Sequence, residues 1–514
     1  MKKTIIGRTM SMAAMAGDLR TVRRTDDEAV RANARRHLAQ RMGKLRGLPQ
    51  KLGQILSMSE EETSAQPFSE LTDAAKPLPF ETVRSILEST WGGPIDMVVS
   101  DIDPHGRAAS LGQVHKAVLH SGEQVAVKVA YPGIRQAVMN DLKMLGWLSG
   151  PVGDLRRGFD LSAYRGEIMR NLNEELDYTQ ELCHQKRYAE LTSQSGTVVV
   201  PKVFETWSSK DVLVSAWEDG VTLDEAVKWP ASDRRELALR PLQHFLTMVF
   251  DHGFVHGDPH PGKYRFRVDP SRGPTIVLYD YGSVATLSLH DRMVLLKLIA
   301  DTAANRGDPM GLLVELGFDA ALLEPIGAKL PAVCKILFEP FCQVYKFDLG
   351  GWHRRERLDD VLGDDRWNFR MAGPARLILL MRAFRGVIFY LDRLGEEVSW
   401  ERALSGILAR HESSLATLSI PPTPACASTF DALAKHLRIE VRRQGVTKVS
   451  LTFPAGSIEN LPSLLDDDLA DRIRKRGIDI HEIVRNCRRG GYAPGELFVL
   501  EEPDQDRSLR VWME

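Results

Sequence analysis

Cysteine is scarce. The 514 residues contain five, Cys183, Cys334, Cys342, Cys426 and Cys487, scattered and with no Cys-X-X-Cys pair. That excludes a disulfide framework or a thiolate zinc site and points to a reducing cytosol. Charge of one sign is lacking as well. Lys and Arg number 67 against 69 Asp and Glu, a formal net charge of −2, so there is no basic footprint of the kind a dedicated nucleic-acid binder uses to displace counterions. Long hydrophobic runs are also missing. The most apolar stretch, from Leu377 to Leu391, is interrupted by Arg382 and Arg385. It reads as a buried helix, because a membrane span needs about 20 apolar residues in a row. The first residues carry lysines but too short an apolar core for a secretory signal, and no Walker lysine motif occurs.

What is present is ordinary globular usage, 43% apolar and 26% charged, in a chain long enough for about three or four domains. Residues 1–75 read as a helical extension. Ten Lys and Arg between Arg20 and Lys51 face only Asp18, Asp26, Asp27 and Glu28. Such a stretch suits a solvated helix face, a transit segment or an anionic membrane surface. Pro77-Leu78-Pro79 breaks the chain, and a helix follows from Phe80 toward Trp91, closed by Gly92-Gly93-Pro94. Residues 76–220 read as a β-rich lobe with inserted helices. Its hairpin runs over Ala117–Leu119 and Val125–Val129 around Ser121-Gly122, with further strands at Val198–Val200 and Val212–Val214. Residues 221–416 read as a helical lobe interrupted near 255–283. After the Pro421-Pro422-Thr423-Pro424 linker, residues 425–514 read as a separate α+β module with strands near Val449–Phe453, Leu497–Glu501 and Leu509–Met513.

Two segments of the helical lobe carry carboxylates at loop tips. One is His256-Gly257-Asp258-Pro259-His260-Pro261-Gly262-Lys263. The other is Ile276-Val277-Leu278-Tyr279-Asp280-Tyr281-Gly282, where an apolar strand presents Asp280 at its end. Each Asp alone is most simply a turn or cap residue. Together they suit a catalytic base plus a magnesium ligand. Lys128 lies inside the apolar strand Val125-Ala126-Val127-Lys128-Val129. A charge there needs a partner, and a phosphate with a helix glutamate would serve; a strand-edge lysine reaching solvent is the alternative. Upstream, Arg107-Ala108-Ala109-Ser110-Leu111-Gly112-Gln113 has residues small enough for backbone N–H groups to approach phosphate, although a single glycine makes it a weak signal alone.

These segments resemble the UbiB family of atypical, protein-kinase-like enzymes. The family's alanine-rich loop is matched by Ala108-Ala109-Ser110-Leu111-Gly112-Gln113, its Lys-X-Gly-Gln motif by Lys51-Leu52-Gly53-Gln54, and its Glu-X-Asp motif by Glu175-Leu176-Asp177. Glu181, Asp258-Pro259-His260-Pro261-Gly262 and Asp280-Tyr281-Gly282 complete the set in the expected order. The resemblance covers roughly residues 40–410 and implies an α+β, two-lobed, protein-kinase-like fold. It implies ATP and Mg2+ as cofactors. Ala108, Ala109, Ser110, Gly112 and Gln113 would line the nucleotide, and Lys128 would contact its phosphates, oriented by Glu181. Asp258 would be the catalytic-loop aspartate and Asp280 the magnesium ligand. Lys51 and Gln54 would lie over the cleft as regulatory residues, facing Glu175 and Asp177. Because the extension fills the place of a peptide substrate, the resemblance implies ATP hydrolysis or phosphorylation of a small or lipid-like molecule, in support of isoprenoid-quinone or lipid metabolism.

Three departures stand out. Lys263 occupies the position where the family has a metal-binding Asn, and an ammonium has no lone pair for magnesium. Lys263 therefore supplies positive charge to the catalytic centre or abolishes turnover. Arg107 stands where a further alanine is usual, and the chain ends in a polar α+β module where many members have membrane-spanning helices. The competing readings are a catalytically impaired pseudokinase acting as a nucleotide- or lipid-responsive scaffold, and a metal hydrolase built on His252, His256, Asp258 and His260. The expected setting is cytoplasmic with a peripheral membrane contact, and without nucleic acid. In the tail, Gly477–Ile480 and Arg485–Arg489 suit a solvated helix end, with a binding role left open.

Overall fold

The computed structural model describes residues 77–109, 111–139, 161–421, 429–465, 467–502 and 506–514. The 1–75 extension with Lys51 and Gln54, and Ser110 of the alanine-rich loop, lie outside the described residues.

The first helix, α1 (Phe80–Trp91), buries Val83 and Leu87, one turn apart, and stops at Gly92, whose φ of 76° suits glycine. It covers one face of an antiparallel sheet. The strands are β1 (Val99–Ile102), β2 (Arg107–Ala108), β3 (Gly112–Leu119), β4 (Gln124–Ala130) and, further along the chain, β6 (Val212–Ala216). The order is β1-β3-β4-β6, with β2 beside β3. Strand period decides what each face does. Val125, Val127 and Val129 of β4 point into the core under α1. Lys128 therefore points the other way, toward the second lobe. Two helices follow, α2 (Leu161–Glu175) and α3 (Tyr178–Thr192). Asp177 caps α3 by accepting from the Thr179 backbone N–H at 3.1 Å and its hydroxyl at 2.6 Å.

The second lobe is built on α4 (Ala231–Thr247), α5 (Leu289–Ala303), α6 (Leu330–Phe338), α7 (Arg354–Leu362), α8 (Ile378–Leu394) and α9 (Trp400–Ala416). The apolar run broken by Arg382 is thus a helix of this lobe, as its composition predicts. Leu242, Phe254, Tyr281, Leu379, Tyr390 and Trp400 share one core, which also takes in Tyr188 from α3. Between α4 and α5 the chain forms two small β units. In one, β7 (Phe254–His256) pairs with β10 (Val284–Thr286). In the other, β8 (Tyr264–Asp269) and β9 (Gly273–Leu278) make a hairpin, with β5 (Val198–Val199) running parallel beside β9.

The tail forms an antiparallel sheet, β12 (Val446–Pro454), β11 (His436–Arg443), β14 (Arg507–Met513) and β13 (Gly495–Glu502) in that order, backed by α10 (Ile480–Arg489). It does not keep a core to itself. Leu437, Leu461 and Val511 pack in one cluster with Val294 and Leu298 of α5 and Val333 of α6. A buried ionic knot reinforces the join. Arg357 of α7 pairs with Glu339 and reaches Glu459 at 3.3 Å, while Arg488 of α10 binds Glu459 at 2.6 Å and Asp360 at 2.9 Å. Among the described residues no helix is long and apolar enough to cross a membrane.

Candidate active site

Lys128 leaves the apolar strand on the cleft side and finds its partner on α3. Its ammonium donates to both Glu181 oxygens, at 2.9 and 2.8 Å, and lies 4.8 Å from the centre of the Tyr178 ring. Glu181 is buried, so an unpaired carboxylate there would carry a heavy desolvation penalty. Burial alone would lower the Lys128 pKa. The Glu181 carboxylate outweighs that and holds the pKa above the ordinary lysine value.

Asp280 follows β9, and its backbone sits at a φ of 62°, a conformation that disfavours residues other than glycine. Its neighbours hold it there. His256 Nε2–H donates to the Asp280 carbonyl at 2.7 Å and to the Tyr279 carbonyl at 3.2 Å. The imidazole is sealed among Tyr188, Tyr264 and Tyr281. Desolvation pushes its pKa down to about 4, which keeps it neutral. This places His256 in a structural role. Among the described residues no group of three or more His, Cys, Asp or Glu side chains could hold a metal ion.

The β8–β9 hairpin brings Lys263 to Asp280. Tyr264 lies opposite Leu278, and Tyr279 N–H donates to the Lys263 carbonyl at 2.9 Å, so residues 263 and 280 leave the hairpin side by side. The Lys263 ammonium binds Asp280 Oδ2. Lys128 stands 3.4 Å from the other oxygen, Oδ1. Asp280 is therefore bracketed by two lysines.

Asp258 is buried and receives Arg382 of α8 at 3.2 Å. The loop behind it is seated by Tyr390, whose hydroxyl donates to the Pro259 carbonyl at 3.1 Å. Gly386 leaves room for Pro259: a Cβ there would fall 2.0 Å from the proline's Cβ. Arg382 was readable only as a break in an apolar run. The argument that singles out Lys128, a charge in an apolar setting that must be paired, applies to it equally.

One small cavity gathers Ala109, Lys128, Glu175, Glu181, Asp258 and Asp280. The Tyr178 and Ser283 hydroxyls also line it and have no hydrogen-bond partner among the described residues, so the wall offers polar groups to a polar ligand. Gly112 supports the cavity from behind. A Cβ there would stand 2.3 Å from the Val129 carbonyl oxygen, so only glycine lets β3 lie so close to β4. Ala108 pairs with Gln113 across β2 and β3. Gln113 needs correction as a nucleotide contact. Strand alternation turns its amide away from the cleft, where it accepts from Leu78 N–H at 2.6 Å and donates to His115 at 2.8 Å. It fastens the Pro77–Pro79 segment to the sheet. Arg107 is exposed on β2 and does not enter the loop. Glu175 borders the cavity, whereas Asp177 is engaged as the α3 cap.

The donor set differs from the one that the implied magnesium needs. Of the two positions that protein kinases use, Asp280 offers hard oxygens, but its carboxylate already carries Lys263 and Lys128, and the other position is Lys263 itself. That set does not fit an Asp–Asn cation site. A cation on Asp280 would have to replace the Lys263 ammonium.

Residues 70–308 match the ABC1 atypical kinase-like domain. Over 258 residues the chain is 32% identical to the atypical kinase coq-8, mitochondrial, of Caenorhabditis elegans, covering 49% of this chain and 34% of that protein. It is 27% identical over 304 residues to a protein named probable protein kinase UbiB from Marinobacter nauticus, covering 56% of this chain and 55% of that one. Among solved structures, the Rv3197–erythromycin complex from Mycobacterium tuberculosis aligns over 79% of this chain and 98% of that chain, at 23% identity and a TM-score of 0.47. The chain spans about a third to a half of the length of the curated relatives it matches. The helical lobe beyond Asp308 and the tail lie outside the matched stretch. Over residues 70–308 the chain is thus similar to the ABC1 atypical kinase-like domain, and it is similar to the proteins named UbiB and coq-8.

Proposed function

We propose that the cleft binds ATP and that the chain hydrolyses it or transfers its terminal phosphoryl group to a small or lipid-like acceptor, in isoprenoid-quinone or lipid metabolism. The observation that carries this reading is the Lys128–Glu181 pair, fixed through both carboxylate oxygens beside Asp280 and in one cavity with Asp258. In this reading Lys128 grips the α- and β-phosphates and Glu181 keeps it aimed. Asp258, oriented by Arg382, takes the proton of the attacking hydroxyl or water. Asp280, already engaged by Lys263 and Lys128, would hold magnesium only if the cation displaced the Lys263 ammonium. The regulatory role of Lys51 and Gln54 over Glu175 belongs to the same proposal, as does a peripheral membrane contact through the basic N-terminal stretch.

A second reading, a nucleotide-responsive scaffold without turnover, is favoured by one observation: Lys263 bound to the carboxylate that would carry the metal. Equilibrium ATP binding and steady-state phosphate release on the purified chain separate the two. ATP binding that Lys128→Met weakens at least about tenfold, together with turnover that Asp258→Asn abolishes, supports the enzyme. Binding without turnover selects the scaffold. ATP binding unaffected by Lys128→Met overturns both.

A further inference from the structure

We propose that Lys263 is a tethered cation of this site, standing on Asp280 where a metal ion would sit, so that nucleotide binding does not require magnesium. The inference rests on the nucleotide reading above and concerns how that same cleft handles phosphate charge.

Backbone geometry makes the placement a property of the hairpin. Lys263 is held on both sides, its N–H donating to the His260 carbonyl at 2.8 Å and its carbonyl accepting from Tyr279 N–H at 2.9 Å. Asp280 is held in its left-handed conformation by His256. Neither end of the ion pair hangs from a freely moving loop.

Charge then decides what the pair can do. A divalent cation approaching Asp280 Oδ2 meets an ammonium already there, and at Oδ1 it meets Lys128 at 3.4 Å. Unlike a neutral amide, Lys263 repels such a cation and offers no lone pair. It does have three N–H donors. One serves Asp280, and the side chain is 20% exposed. Lys128 and Lys263 on either side of Asp280 form a two-lysine cradle for a polyphosphate, doing as fixed ammonium groups part of what bound metal does elsewhere.

The test is ATP affinity, measured with a fluorescent ATP analogue and by calorimetry, in EDTA and in millimolar magnesium. The unaltered chain is expected to bind within about threefold under both conditions. Lys263→Asn, which replaces the ammonium with an oxygen ligand, is expected to lose at least about tenfold in EDTA and to recover with magnesium or manganese. Affinity of the unaltered chain that rises tenfold or more with magnesium overturns the inference while leaving ATP binding intact, and this arm needs no variant to fold. A Lys263→Asn protein as indifferent to metal as its parent also overturns it. Failure to bind ATP under any condition removes the nucleotide reading itself, and this inference with it.

Discussion

Arg382, near the start of α8, holds Asp258 at 3.2 Å across 124 residues of chain, and both side chains are buried. The aspartate lies inside the matched kinase-like stretch and the arginine beyond it, so the Asp258 loop depends on a helix outside the matched stretch. Removing one member of a buried ion pair leaves a charge poorly compensated. Arg382→Met should lower stability by roughly 2–4 kcal/mol and depress turnover well beyond any change in ATP affinity. Arg382→Lys should restore part of both. A variant as stable and as active as its parent would show that Arg382 does nothing for Asp258.

The same helix limits the 258–260 segment sterically. At Gly386 a methyl group would meet the Pro259 Cβ at 2.0 Å, and a proline ring, closed onto its own backbone, has little to give. Gly386→Ala should push the 258–260 segment out of place, costing roughly 1–3 kcal/mol by overpacking. ATP binding, which the proposed reading assigns to Lys128 on the far side of the cleft, should change little. Equal losses in binding and turnover would mean that the whole cleft had moved.

How much of this was readable beforehand follows from the range of each interaction. Lys128 stood out because strand alternation is local, and Asp280 because an apolar run ends at it. The helix over residues 378–394 was legible for the same reason. Lys263 meeting Asp280 depends on hairpin register, and Arg382 meeting Asp258 on helix docking; neither is encoded in spacing. β11 is legible in the same local way, since Leu437, Ile439 and Val441 alternate with charged residues, although it is not among the tail strands named above. Gln113 was assigned by its place in a motif, whereas the face of the strand decides where its amide goes. The tail's own strands were visible from β-rich runs, but its shared core was not, since that lies in contacts with helices more than 100 residues away.

Two histidines, His256 buried and His244 half-buried, make stability depend on pH. Tyr188 donates its hydroxyl to His244 at 2.6 Å, and burial pushes the His244 pKa down to about 3, while that of His256 falls to about 4. Both are neutral in the folded chain, whereas unfolded histidine takes up a proton near pH 6.5. Their contribution is therefore complete above about pH 6.5 and is lost as the pH falls toward 4, by up to about 1.4 kcal/mol per pH unit for each histidine. Urea midpoints measured from pH 7.5 to 4.5 should fall steadily, and His244→Phe should flatten that slope. An unchanged slope in the variant would contradict the assignment.

Glu459 joins the tail to the helical lobe. It accepts from Arg488 at 2.6 Å and from the Tyr492 hydroxyl at 2.6 Å, and it pairs with Arg357 of α7 at 3.3 Å. Arg357 is itself buried and would keep only Glu339, and Arg488 only Asp360, so Glu459→Ala leaves two guanidinium groups short of negative charge and should destabilise by roughly 2–4 kcal/mol. The form of the loss discriminates between two architectures. Because Leu437 and Val511 share a continuous core with Val294 and Val333, tail and helical lobe should melt together, and the variant should keep one transition at a lower denaturant concentration. An independent tail would instead unfold early, in a separate step, with ATP binding at the distant cleft untouched. Parallel urea titrations followed by tryptophan fluorescence and by nucleotide affinity distinguish these outcomes, and a split transition would establish the tail as an autonomous module.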